Sequence, residues 1–98
     1  MKRVTEETKI KHQVKDYLKL YGYFVFPILQ GLGAYKGIAD FCVIGYGMTF
    51  FIEIKTKKGK QSENQKAFEN EVMSHGGHYG VVTSIEDLQE VMAKYENK

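Results

Sequence analysis

The chain has 98 residues, 43% of them hydrophobic, one cysteine and a formal net charge of +2. That length accommodates one core and leaves no room for a second, so a single domain over 1–98 is expected. One cysteine excludes an internal disulfide framework, no apolar run approaches the about 20 residues of a membrane helix, and Met1-Lys2-Arg3 leads into charged residues without a hydrophobic signal segment, so an intracellular setting with no membrane partner is expected.

Thr5 to Tyr21 reads as a helix, with Thr5 as a cap and Ile10, Val14, Tyr17 and Leu18 at helical spacing. Glu7 stands one turn before Ile10, at the edge of the apolar face. It can serve a site beneath that face, or it can simply favour the helix N-terminus, as Glu6 does, through the macrodipole. Gly22 ends the helix, and Tyr23 to Leu29 gives a first strand. The next stretch, Gln30-Gly31-Leu32-Gly33-Ala34-Tyr35-Lys36-Gly37, has the glycines of a phosphate loop but no following helix and no Lys-Ser or Lys-Thr end. It reads better as flexible backbone that lets nucleic acid approach, with Gln30, Tyr35 and Lys36 as its contacts, Tyr35 able to stack and Lys36 able to pair with phosphate.

Ile38 to Ile44 and Met48 to Ile54 are rich in β-branched and aromatic residues, and Gly45-Tyr46-Gly47 between them is turn chemistry, so the pair reads as a β-hairpin. Along the second strand Met48, Phe50, Ile52 and Ile54 face one way while Glu53 and Lys55 face the other. Asp40 lies on the first strand, and it shares a face with Glu53 only if residue 45 pairs with 48, or 44 with 49. A one-residue slip would send Glu53 to the opposite face. Two carboxylates and an amine so placed suit phosphodiester cleavage. Mg²⁺, with Mn²⁺ as a substitute, needs only one or two carboxylates beside the substrate phosphate. Asp40 and Glu53 can supply them, Ile54 can add its backbone carbonyl, and Lys55 can orient water or offset developing charge. Cys42, in the same apolar run, reads as a small buried hydrophobe with no base placed to activate it.

Lys55, Lys57, Lys58 and Lys60 crowd just past this site, and the last three form either a phosphate-contacting rim or a solvated loop. Ser62-Glu63-Asn64-Gln65 is a capping box that opens a second helix, running through Phe68, Val72 and Met73 to Gly76-Gly77. His75 and His78 have an H-x-x-H spacing, but the helix ends between them, which argues against zinc. Tyr79 to Thr83 gives a fourth strand. Ser84 caps a closing helix that runs to Tyr95, with Asp87 at its third position.

Gly37-Ile38-Ala39-Asp40, Phe51-Ile52-Glu53-Ile54-Lys55-Thr56 and Gly59-Lys60-Gln61-Ser62-Glu63-Asn64-Gln65 together resemble the VRR-NUC (virus-type replication-repair nuclease) domain of the PD-(D/E)XK superfamily, over nearly the whole chain. The family often has proline before the aspartate, where this chain has Ala39. The resemblance implies an α/β, restriction-endonuclease-like αβββαβ core with a mixed central sheet, here followed by a C-terminal helix. It implies a Mg²⁺-dependent DNA endonuclease with Glu7, Asp40 and Glu53 on the metal, Lys55 on the water and Gln65 in support. It also implies branched DNA as substrate, such as a Holliday junction, and a homodimer. A non-catalytic DNA-binding module that keeps the fold is the alternative, against which the intact Asp40, Glu53 and Lys55 argue.

Overall fold

The computed structural model describes residues 5–96; the ends of the expected domain, 1–4 with Met1-Lys2-Arg3 and 97–98, lie outside the described residues. The elements run α1 (Glu6–Leu20), β1 (Phe24–Pro27), β2 (Phe41–Gly45), β3 (Met48–Ile54), α2 (Glu63–Ser74), β4 (His78–Val82) and α3 (Ile85–Glu96). This is the expected αβββαβ succession with a closing helix. The four strands form one sheet in the order β1-β2-β3-β4, in which β1–β2 and β2–β3 are antiparallel and β3–β4 is parallel. The parallel pair follows from α2, which carries the chain back across the sheet between β3 and β4.

Local chemistry sets the boundaries. Thr5 caps α1 by accepting the Thr8 N–H at 3.1 Å. Gly22, at φ 89°, ends the helix while the Tyr23 N–H closes back on the Leu18 carbonyl at 3.0 Å. The first strand is shorter than the apolar run suggests, because Pro27 brings no N–H to the ladder and the chain leaves the sheet after the Ile28 N–H donates to the Asp40 carbonyl. The second begins at Phe41 rather than Ile38, since Gly37 at φ 80° and a turn bond from Ile38 N–H to the Tyr35 carbonyl keep the preceding residues out of the ladder.

The hairpin loop contains two residues, not three. Gly45 pairs with Met48, leaving Tyr46 and Gly47 at φ 54° and 80°. Positive φ at both central positions is the type I′ geometry that matches strand twist. The Tyr46 hydroxyl, donating to the Tyr21 carbonyl at 2.7 Å, and its ring against Tyr23 help to hold a non-glycine residue there.

Each face of the sheet has its own apolar layer. Ile10, Val14 and Leu18 of α1 and Leu88, Met92 and Tyr95 of α3 pack on Val25, Phe41, Val43, Phe50, Ile52, Ile54 and Val82. On the other face Phe68 of α2 packs with Ala39 and Tyr79, joined by Phe51 and Val72. Full burial of each large side chain contributes about 1.5–3 kcal/mol, so the larger layer dominates stability. Cys42 is buried and its thiol is pushed up by that burial, consistent with an inert core residue. No described helix is long and apolar enough to cross a membrane.

Candidate active site

The hairpin register decides the site. Gly45↔Met48, Ile44↔Thr49 and Phe41↔Ile52 are partners, and Asp40, one residue before the ladder, donates its N–H to the Ile52 carbonyl at 3.1 Å, which sets its carboxyl beside that of Glu53. These are the two buried acidic residues among the described ones, Asp40 9% and Glu53 2% exposed. They sit at one end of the hairpin, on the wall of a cleft of about 460 Å³ lined also by Glu7, Lys11, Gln30, Phe41, Lys55 and Gln65.

Each carboxylate is held by backbone or amide donors. Asp40 Oδ2 accepts the Ile54 N–H at 2.7 Å, while its Oδ1 has Gln30 Nε2 and Lys11 Nζ at 3.4 Å each. Glu53 Oε2 accepts from Gln65 Nε2 at 2.8 Å and lies 3.8 Å from Lys55 Nζ. Glu53 Oε1 is buried and has no hydrogen-bond partner. Burial, then the charge of the neighbouring Asp40, push Glu53 up to about 8, with Lys55 opposing the rise and Glu7 adding to it. A buried, unpartnered carboxylate oxygen beside a second carboxylate requires either a proton or a cation. The donors are hard oxygens, so the residues fit Mg²⁺ or Mn²⁺.

Glu7 lines the same cleft from α1, half-buried, as its place at the edge of the apolar face suggested. It does not close a cage: no group of three His, Cys, Asp or Glu side chains converges among the described residues. The acidic centre is the Asp40–Glu53 pair, with Glu7 contributing its charge. Ile54 joins the site through its N–H. The H-x-x-H pair is employed elsewhere, His75 Nδ1 being 2.7 Å from the Glu71 carbonyl and the His78 ring packing between Tyr95 and Phe50.

The residues expected on nucleic acid divide. Lys36, Lys57, Lys58 and Lys60 are exposed, and Tyr35 is exposed with its ring 5.6 Å from that of Phe68. Gln30, also exposed, turns its amide to the Ile38 carbonyl at 3.1 Å and towards Asp40, so it ties the glycine-rich loop to the carboxylate. Lys57 is near enough to Asp87 to help hold that carboxyl below its usual range, after the Thr83 hydroxyl and N–H. Lys11 is the site residue that the motif reading missed. Its signal was spacing: it lies four residues after Glu7 on one helix, hence on the same face.

A mixed four-stranded sheet between helices, with a carboxylate pair at one end of its hairpin, defines an α/β fold of the restriction-endonuclease-like kind. Two solved structures share it over nearly their whole length and nearly the whole of this chain. One, described as a "VRR_NUC domain", superposes with a TM-score of 0.80 over 93% of this chain and 98% of its own, at 22% identity. Another, described as a "VRR_NUC domain protein", gives 0.75 over 98% and 92%, at 16% identity. The likeness is one of fold, and it agrees with the family that the motifs resemble. No protein-family model matches the chain, and no curated protein matches it.

Proposed function

We propose that this chain is a divalent-cation-dependent nuclease that hydrolyses DNA phosphodiester bonds. The observation that carries the reading is the convergence of Asp40, Glu53 and Lys55 on one cleft, with Glu53 Oε1 buried and unpartnered. Asp40 and Glu53 would hold Mg²⁺ or Mn²⁺, with the Ile54 carbonyl as a further oxygen donor and Glu7 adding negative charge from the cleft wall; a cation so held would supply Lewis acidity at the phosphoryl oxygen and a more acidic bound water. The Ile54 N–H fixes Asp40 and the Gln65 amide fixes Glu53, so neither carboxylate reorients as charge develops. Lys55, leaning on Glu53, presents an ammonium that can orient the attacking water and offset charge on the phosphorane-like transition state.

DNA as the substrate is supported by the fold shared with VRR_NUC proteins and by the exposed lysines beyond the cleft. One subunit brings one cleft, so paired cuts in two strands call for two subunits. A two-fold homodimer acting on branched DNA, a four-way junction included, is the arrangement we favour. The test is incubation of the purified protein with four-way, nicked and linear DNA, with Mg²⁺, Mn²⁺ or EDTA, beside Asp40→Ala and Lys55→Ala. Cation-dependent cleavage that both substitutions remove, with DNA binding kept within about tenfold, is expected. Tight DNA binding without cleavage under any cation would establish a non-catalytic module instead. Sedimentation with and without the junction tests the dimer.

A further inference from the structure

Lys11 belongs to none of the motifs, yet its ammonium stands in the cleft with Nζ 3.4 Å from Asp40 Oδ1. Asp40 Oδ2 is committed to the Ile54 N–H at 2.7 Å, so Oδ1 is the oxygen left for a cation. Its two partners, Lys11 and Gln30, are both at 3.4 Å, long contacts that yield easily. The Lys11 side chain is 37% exposed and that of Asp40 10%, so the fixed partner is the carboxylate and the movable one is the amine. A flexible four-carbon stem carrying a compact, hydrated charge can leave at little cost. Lys55 meanwhile leans on Glu53, which gives each buried carboxylate one ammonium. A divalent ion on Asp40 Oδ1 would face the Lys11 charge at close range and repel it.

We propose that Lys11 is an internal counter-ion that holds Asp40 Oδ1 while no divalent cation is bound, and that the cation displaces it, freeing its ammonium for a phosphate oxygen of the nucleic acid. Lys11 is therefore a positioning residue that couples cation binding to DNA binding; the inference rests on the nuclease reading above. Coupling of this kind makes each ligand tighten the other, typically by about 5- to 150-fold. It also makes free Lys11 a competitor of the cation when DNA is absent.

The experiment compares wild type with Lys11→Met, which keeps the stem and removes the charge, and with Lys11→Gln as a second neutral variant should the first fold poorly. Titration calorimetry reads Mn²⁺ and Mg²⁺ affinity without DNA, and fluorescence anisotropy reads affinity for a labelled four-way junction in Ca²⁺ and in EDTA. Both neutral variants should bind Mn²⁺ about fivefold tighter or more, and their junction affinity should gain less from Ca²⁺ than that of wild type. Lys11→Arg, which keeps the charge, should bind Mn²⁺ as wild type does. Neutral variants that bind Mn²⁺ as weakly as wild type, or more weakly, would overturn the role given to Lys11 and leave the nuclease reading intact. A wild-type protein that binds neither Mn²⁺ nor Mg²⁺ would overturn both.

Discussion

Gln65 and Glu53 are joined through an amide whose two ends perform two tasks at once. The Ser62 N–H donates to Gln65 Oε1 at 2.8 Å, closing the capping box at the start of α2, and this forces the NH₂ end towards Glu53 Oε2, also at 2.8 Å. A backbone N–H can only donate, so the cap fixes which end faces the carboxylate. The residue that completes the helix cap therefore also orients a carboxylate oxygen of the candidate site.

Gln65→Glu separates the two tasks. Glutamate serves the capping box as well as glutamine does, so the helix start should survive, but a third carboxylate would replace the donor at Glu53. Cleavage should be nearly abolished, and the metal-free protein should be destabilised more at about pH 8 than at about pH 5, where the added acid can share a proton. Gln65→Ala should destabilise by about 1–3 kcal/mol at both, since a buried acceptor is deprived of its donor. Thermal melts of the two variants in EDTA decide this; equal pH dependence in both would refute the assignment.

The raised Glu53 predicts an unusual acid–base profile for the metal-free fold. Its carboxyl, ordinarily at 4.5, is held up to about 8 by burial first and by Asp40 next. Between those values the folded chain binds the proton that the unfolded chain has released, so stability should fall as pH rises across that window. Asp87 runs the other way: lowered by the Thr83 hydroxyl and N–H, it stabilises above its ordinary 3.8 and loses that contribution as the solution becomes more acidic. In EDTA the melting temperature should drop from about pH 5 to about pH 9 in wild type and stay nearly flat in Glu53→Gln. A wild-type curve as flat as that of Glu53→Gln would show that Glu53 is not the titrating group.

Gly37 links the glycine-rich loop to the same site. A Cβ built there would stand 2.2 Å from the Asn64 carbonyl oxygen and 2.6 Å from the Gln65 nitrogen, and the residue is at φ 80°. Neither the backbone of α2 nor the left-handed conformation accommodates a side chain easily, the latter costing about 1–2 kcal/mol by itself. Gly37→Ala should therefore push the start of α2 away, take Gln65 off Glu53 and cut cleavage by about tenfold or more while the fold persists. Gly33→Ala, with the same sign of φ but open space around it, is the control and should keep its activity.

The reach of the sequence can be judged from these residues. Asp40 and Glu53 can share a face only if 45 pairs with 48 or 44 with 49, and both pairs are present; turn chemistry alone leaves a one-residue slip open, so the apposition is legible as a condition on the register. Periodicity and caps locate all three helices to within a residue or two. Lys11 escaped because its role depends on how α1 lies across β1 and β3, a matter of long-range packing; its spacing from Glu7 points to the site only once Glu7 is placed there. The contact of the Gln30 amide with Asp40 escaped for a related reason, since an exposed glycine-rich loop gives no sign of which side chain reaches the carboxylate.

The lysines beyond β3 should not contribute alike to DNA binding. Each phosphate that a protein ceases to neutralise lowers the slope of log affinity against log salt by about 0.9 on duplex DNA. Lys57, Lys58 and Lys60 are all exposed, with no ion-pair partner within 4 Å among the described residues, but Lys57 alone is near enough to an acid, Asp87 of α3, to help lower it. Lys58→Ala and Lys60→Ala together should lower the slope by about two and weaken binding equally for all sequences, because phosphates carry no base identity. Lys57→Ala should move it by less than one, because the nearby Asp87 offsets part of its charge. Cleavage at saturating DNA should persist in both variants, since none of the three lysines lines the cleft of Asp40 and Glu53. Anisotropy titrations at four or more salt concentrations give the slopes, and an unchanged slope in the double variant would mean that these lysines only solvate the loop.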